Sequence, residues 1–378
     1  MWSLYGAQLP ALSPHQARTV AAITSCRTAA LGGHLRQCDR CGHRETAYNS
    51  CRNRHCPKCQ GLDEVRWVER QRQSLLPIEY HHVVFTIPDV LHPLLRAHRR
   101  LGYHLLFRAV AETLQDVARR PQNLGARIGF TAVLHTWTQT LAYHPHLHCI
   151  VTGGGLSPQS ERWVAAQPRF LFFVGILSQV FRGKFLQLLE QALDAGSLRC
   201  PRGDGHARLR QAARKQWVVY SKPPFAGPDQ VLRYLGRYTH RIAISNDRLD
   251  SIHDGNVTFR WRDRAHGNQV QHLTLDASEF LRRFLLHLLP PGFMRIRHYG
   301  LLANHGREQL LPLCKQLLGG AADPDPVPNP EESWHELFLR ITGNDVLLCP
   351  RCHAGHLQLL HRLSPLRPSA PLPPLRSP

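Results

Sequence analysis

Acidic residues are scarce in this chain. Asp and Glu number 27 against 47 Lys and Arg, a formal charge of +20 before any of the 25 His is counted. Lysine is scarcer still. Lys58, Lys184, Lys215, Lys222 and Lys315 are the only five, which leaves 42 Arg. A GC-rich genome can raise Arg at the expense of Lys, but it does not create the net charge. Long apolar runs are also missing. No stretch of about 18 apolar residues occurs, which argues against a membrane span. The opening MWSLYGAQLP has no charged segment followed by an apolar one, so it does not read as a signal peptide. The default expectation is a cytoplasmic location. No internal repeat stands out. What is present is a 378-residue chain, 43% hydrophobic, with room for two or three cored domains. Its charge would attract a polyanion, and nucleic acid is the commonest one. Guanidinium groups match phosphate oxygens and stack on bases.

Cysteine, in contrast, is plentiful and clustered. There are eleven, with five between Cys38 and Cys59 and a closing pair at Cys349 and Cys352. In a reducing compartment, clustered pairs argue for metal rather than disulfides. Cys38-x2-Cys41, fourteen residues, then Cys56-x2-Cys59 is zinc-ribbon spacing. Two knuckles each present two thiolates, and together they complete a tetrahedron. Four thiolates leave no open position, so this Zn²⁺ is expected to be structural. Cys26, His34, His43, Cys51 and His55 are further possible ligands. Arg40, Arg44, Arg52, Arg54 and Lys58 decorate the module and suit DNA contact. Cys349 and Cys352, with His353 and His356, could form another half-site completed by Cys314, or a local turn with thiols that bind nothing.

Two constellations carry chemistry. YHPHLHCIVTGGG holds His144, His146 and His148. Alternate strand residues share a face, so their imidazoles can converge on one ion. His135, on the expected neighbouring strand 129–139, is another candidate ligand, with a backbone-bonded structural His as its alternative. The second constellation is RYLGRYTHR, in an expected helix over 227–241. Tyr234 and Tyr238 lie four apart, on one helical face. An ordinary aromatic stripe would look the same, but Arg233, Arg237, His240 and Arg241 surround the pair with charge that suits phosphate. A divalent ion on the histidines and a tyrosine hydroxyl would together suit phosphodiester attack through a 5′-phosphotyrosine link. Imidazoles favour Mn²⁺ over Mg²⁺, unless the Mg²⁺ stays partly hydrated and shares phosphate oxygens.

The remaining pattern is mixed. Residues 80–88, 146–155, 216–221, RIAIS and NVTFRWRD read as strands. Residues 1–20, 62–76, 90–120, 173–196 and 277–293 read as helices, the second-last strongly amphipathic and the last opening on a capping Ser and ending at a double Pro. Residues 319–333 and 364–378 read as a linker and a Pro-rich extended tail.

His146-Leu147-His148 resembles the His-hydrophobic-His (HUH) signature of rolling-circle endonucleases, and HHVVFTIP resembles the strand that precedes it there. The Cys ribbon, HPHLHCIVTGGG, YLGRYTHRIAIS and FLLHLLPPGFMRIRHYG occur in the order of IS-ninety-one-type insertion-sequence transposases. The resemblance covers about residues 10–318. It implies an α+β chain: a small zinc-ribbon-like domain (1–65), then a ferredoxin-like HUH domain (78–250), an antiparallel sheet with packed helices. A C-terminal α/β extension (251–318), a linker with a possible second Cys/His knuckle (319–363) and a disordered tail (364–378) would follow. It further implies His146 and His148 as ligands of a catalytic Mg²⁺ or Mn²⁺, with His144 and His135 open for the third place. Tyr238 and Tyr234 would be the nucleophiles, Arg233, Arg237 and Arg241 DNA contacts, and single-stranded element ends and target DNA the partners. A plasmid replication initiator or relaxase, and a non-catalytic zinc DNA-binding regulator, are the alternatives.

Overall fold

The computed structural model describes the chain except residues 1, 60–66, 70, 73, 168–170, 202, 226–229, 232–235, 237–242, 264–265, 320–331 and 367–378. In chain order its strands are β1 (Gly33–Cys38), β2 (Arg44–Tyr48), β3 (Tyr80–Thr86), β4 (Arg127–Trp137), β5 (Tyr143–Leu156), β6 (Trp163–Ala165), β7 (Val219–Phe225), β8 (Leu249–His253), β9 (Asn256–Asp263), β10 (Gln269–Asp276), β11 (Ile296–Gly300) and β12 (Leu357–Leu363). The helices used below are α1 (Pro14–Ser25), α2 (Arg99–Arg119), α3 (Val174–Asp194) and α4 (Ala277–Leu286). The chain divides into two compact units. One comprises residues 1–66, 240–247 and 326–378, and the other residues 67–239 and 248–325.

In the larger unit the order of elements is β3, α2, β4, β5, α3, β7. The sheet runs β11-β4-β5-β3-β7, with every pairing antiparallel and β6 added to β5. Counted within that β-α-β-β-α-β repeat, the strand order is 2-3-1-4. This is ferredoxin-like topology, as expected. Alternation along the strands sorts the side chains between the two faces. Val83, Phe85, Phe130, Ala132, Leu134, Leu147, Cys149 and Val151 form one core with α2 and α3. Leu106, Phe107, Val110 and Leu114 come from α2, and Phe181, Phe185 and Leu189 from α3. The opposite face is left for the histidines.

Several boundaries differ from the sequence expectation. The 90–120 helix breaks at His98 (φ −121°, ψ 55°), whose Nε2 lies 2.8 Å from the Arg199 carbonyl oxygen. α4 is capped by Asp276, whose carboxylate accepts from the Ser278 and Glu279 N–H groups, so Ser278 is not the cap. That helix stops at Leu286, before the double Pro, and His287 turns back to bond Leu141 and Thr136. Ala243–Ser245 of RIAIS form no strand, and Ala243 sits at φ 63°. The 251–318 segment is not a separate extension. Its β8–β10 sheet precedes α4, and β11 then joins the main sheet beside β4.

In the smaller unit two short helical turns (Trp2–Tyr5 and Gly6–Gln8) precede α1, which opens on a capping box between Ser13 and Gln16 with Pro14 in the first turn. Its sheet is β12-β1-β2. The unit that holds residues 1–66 therefore also takes in the segment expected to be a linker and knuckle.

Candidate functional site

The histidine face is built by strand register. β4 sets His135 opposite His146 and Val133 opposite His148, while β3 sets Val84 opposite His148. Donor atoms of His135, His146 and His148 all lie within 4.8 Å of one another. Ring centroids are 4.4 Å apart for His135–His148 and 4.8 Å for His146–His148. His135 is buried, and the other two are half-buried. The Trp137 ring stacks on His135 at 4.5 Å and fixes its plane.

Hydrogen bonds select the tautomers. His146 Nδ1–H donates to the His144 carbonyl at 2.7 Å, which leaves Nε2 as its lone-pair nitrogen. His148 Nδ1 lies 2.9 Å from His82 Nε2, and the two rings stack 8° from parallel. For His148 to present Nε2 to an ion, its Nδ1–H must donate and His82 must accept. His82 is buried on β3. In the sequence His82 falls within HHVVFTIP, where the resemblance assigns it no role. Alternation was the available signal: Val83 and Phe85 enter the core, so His82 faces the site.

His144, one of the two open choices for a third ligand, lies outside the trio. It sits at the start of β5, with its ring against His92 (5.5 Å) and His146 (5.3 Å). The strand begins at Tyr143, so His144 is within β5, one register step beyond the convergence point. The donor set fits a divalent ion that accepts nitrogen. Three imidazoles meet from two strands, no carboxylate joins them among the described residues, and coordination positions remain for phosphate oxygens.

Tyr234, Tyr238, Arg233, Arg237, His240 and Arg241 lie outside the described residues. Val231, three before Tyr234, is described as helical and fully buried. It packs with Tyr80, Val133 and Ile150, on the histidine face. Tyr220 shares that face from β7, opposite Val84, and is 52% exposed. Beside this face runs a cleft of about 1060 Å³, lined by Trp67, Arg100, His104, Met294, Arg297 and Arg307 among others. Arg297 lies over the Phe107 ring at 4.2 Å. The PPGFMRIRHYG segment contributes much of this lining.

The thiols group differently from the expected ribbon. Cys56 and Cys59 join Cys26 and Cys51, whereas Cys38 and Cys41 join Cys349 and Cys352. Ribbon spacing pairs the two nearest knuckles, but α1 brings Cys26 in at its C-terminus and β12 brings the distant knuckle to β1. His34 lies in β1 and His55 bonds Asn53, and neither belongs to a thiol group. Cys314 is buried among Leu76, Leu156, Leu301 and Leu311 and does not complete the Cys349/Cys352 pair. Sulfurs on a tetrahedral zinc stand about 3.8 Å apart, given Zn–S bonds of about 2.3 Å. Cys38–Cys352 and Cys41–Cys349 are each 3.7 Å, and Cys26–Cys59 is 3.3 Å. Both sets fit structural zinc.

Residues 1–87 match the family model described as "Transposase zinc-binding domain", and residues 129–309 match the one described as "Putative transposase". The chain is 50% identical over 366 residues to "Putative transposase y4qJ" of Sinorhizobium fredii, covering 93% of this chain and 91% of that protein. It belongs to the IS-ninety-one-type transposase family. A second relative within this transposase group, the "Transposase for insertion sequence element IS801" of Pseudomonas savastanoi pv. phaseolicola, is 31% identical over 348 residues, covering 90% of this chain and 82% of that protein. Among solved structures, the conjugative relaxase TrwC, in complex with oriT DNA and copper, aligns with 42% of this transposase chain and 68% of its own at 14% identity and a TM-score of 0.22. No residue is carried across from that loose superposition. No described helix of the transposase is long and apolar enough to cross a membrane.

Proposed function

We propose that this transposase nicks and rejoins single-stranded DNA through a covalent 5′-phosphotyrosine intermediate, with Tyr238 or Tyr234 as nucleophile. The observation that carries this reading is the convergence of His135, His146 and His148 on the open face of a ferredoxin-like sheet. Val231, three residues before Tyr234 in sequence, is buried on that same face. A Mn²⁺ or Mg²⁺ ion held there would supply Lewis acidity toward a non-bridging phosphate oxygen. The chain's residues do the rest. His82 and the His144 carbonyl hold two imidazoles in the ligating tautomer. The tyrosine oxygen forms the new bond to phosphorus and gives up its proton, while the bond from phosphorus to the 3′ oxygen breaks. That oxygen takes a proton and leaves as a 3′-OH. The link conserves the phosphoester, so another 3′-OH can reverse the step on a target strand. Arg233, Arg237 and Arg241, with the Arg-lined cleft, offer phosphate contacts along the strand.

A zinc regulator without catalysis would not require three imidazoles with matched tautomers. Incubation with single-stranded oligonucleotides bearing the element's ends, plus Mn²⁺ or Mg²⁺, should give a protein–DNA adduct that survives denaturant. The adduct should disappear in the double variant Tyr234→Phe/Tyr238→Phe. His146→Ala should abolish the metal requirement together with cleavage. An adduct in the double tyrosine variant, or unchanged cleavage by His146→Ala, would defeat the assignment.

A further inference from the structure

The second thiol group joins residues from opposite ends of the chain. Cys38 and Cys41 flank the turn after β1, and Cys349 and Cys352 precede β12. We infer that these four bind a second Zn²⁺, distinct from the one at Cys26, Cys51, Cys56 and Cys59, and that this ion clasps the C-terminal segment onto the N-terminal zinc module.

Three independent observations carry the clasp. The first is geometry. The Sγ atoms of Cys38 and Cys352, and of Cys41 and Cys349, are each 3.7 Å apart, the edge of a tetrahedral zinc–thiolate site and too long for any disulfide. The second is the setting of the sulfurs. Both pairs sit in knuckle turns whose amides point at sulfur. Arg40 and Cys41 N–H each donate to Cys38 Sγ at 3.4 Å, and Gly355 N–H donates to Cys352 Sγ at 3.4 Å. The knuckles are also bonded to each other. Asp39 N–H donates to the His356 carbonyl, and His356 N–H returns to the Asp39 carboxylate at 2.9 Å. Gly355 is needed at the meeting point, since a Cβ there would come within 2.6 Å of Cys38 Sγ and Asp39 Oδ1.

The third observation is the sparse apolar packing at this junction among the described residues. The cluster at this junction contains Cys38, Cys349 and Leu357, with Cys352 packed against them. On β12, Leu359 and Leu360 are 54% and 48% exposed. Of β12, paired with β1 from Cys38↔Leu357 to Gly33↔Leu363, Leu357 is the one buried side chain, so little apolar burial backs the pairing. A three-stranded sheet without a hydrophobic face is not stable alone in water. Binding the ion displaces four thiol protons, and its binding energy becomes folding energy for the sheet. The N-terminal module is then complete only once residue 352 has been made.

The test uses full-length protein, with zinc and protein quantified independently after gel filtration. The wild type should carry two Zn²⁺ per chain and Cys349→Ser/Cys352→Ser one. Cys352→His alone, which supplies a nitrogen donor in place of the sulfur, should retain the second. Differential alkylation of the unmodified protein covers the case of a variant that does not fold. Cys38, Cys41, Cys349 and Cys352 should be protected together and become reactive together on chelation, at a chelator concentration different from that exposing the Cys26 group. One zinc in the wild type, two in the double variant, or Cys349 and Cys352 reacting while Cys38 and Cys41 stay protected would each overturn the clasp. None of these readouts depends on DNA cleavage, so the inference stands or falls apart from the nicking mechanism.

Discussion

In the proposed metal site, His82 would matter without touching the ion. Its Nε2 is 2.9 Å from His148 Nδ1 and, acting as acceptor, would fix the tautomer that ligation needs. Outer-shell partners of this kind typically contribute about 10–100-fold in metal affinity. His82→Ala should therefore weaken Mn²⁺ binding by about that factor, read by calorimetry, while the protein keeps its thermal midpoint to within a few degrees. Buried histidines elsewhere set a pH dependence. Burial pushes His287 down to about 4 from its ordinary 6.5, even though Leu141 and Thr136 accept or donate at its two nitrogens. Burial likewise lowers His92 and His298 to about 4. These rings take up protons more readily unfolded than folded. Their contribution is complete above pH 6.5 and is lost as the pH falls toward 4, on the order of 3 kcal/mol for the fully buried His287. Denaturant titrations at pH 7 and pH 5 should show the loss at the lower pH, and His287→Gln should reduce the difference.

At the scale of elements, β5 joins the core to the chemistry. Leu147 and Cys149 alternate with His146 and His148, so the packing beneath the sheet holds the imidazoles above it. Leu147→Ala should cost about 2–5 kcal/mol of stability by denaturant unfolding, since its side chain is fully buried. It should also loosen the trio and weaken metal binding. Elements of this kind were legible in the sequence because period-two alternation and Gly/Pro punctuation are local signals. β3, β4, β5, α3 and the HLH strand could be read from the residues themselves. The ferredoxin-like order came from the family resemblance. The strand expected over RIAIS is absent at Ala243–Ser245, where Ala243 adopts a left-handed backbone that apolar character does not reveal. The thiol pairing was misread for a different reason. Ribbon spacing describes the nearest partners in sequence, and nothing local marks a ligand pair some three hundred residues away. Cys26 and Cys51 were visible as extra thiols, but their partners were decided by where α1 ends and how β12 pairs.

For the whole molecule, the charge of +20 and the Arg-lined cleft imply binding dominated by phosphate contacts. Affinity for single-stranded DNA should fall by about 100-fold or more between roughly 50 and 200 mM salt, the response expected from about six phosphate contacts. Fluorescence anisotropy would show this, and a flat response would argue against an electrostatic track. The central claim concerns which oxygen meets the phosphate. Tyr220 lies on the histidine face two strands from His148, about 10 Å away at ordinary strand spacing, and it is exposed. It is therefore the competitor to Tyr234 and Tyr238. Trypsin separates the three, since Arg233, Arg237 and Arg241 bracket Tyr234–Arg237 and Tyr238–Arg241, while Gln216–Arg233 carries Tyr220, the Lys222–Pro223 bond being resistant. The decisive measurement is mass spectrometry of the nuclease-trimmed, trypsin-digested adduct. The account predicts a 5′-nucleotide on Tyr234 or Tyr238. A nucleotide on Tyr220, or cleavage with no covalent nucleotide on any tyrosine, would contradict it.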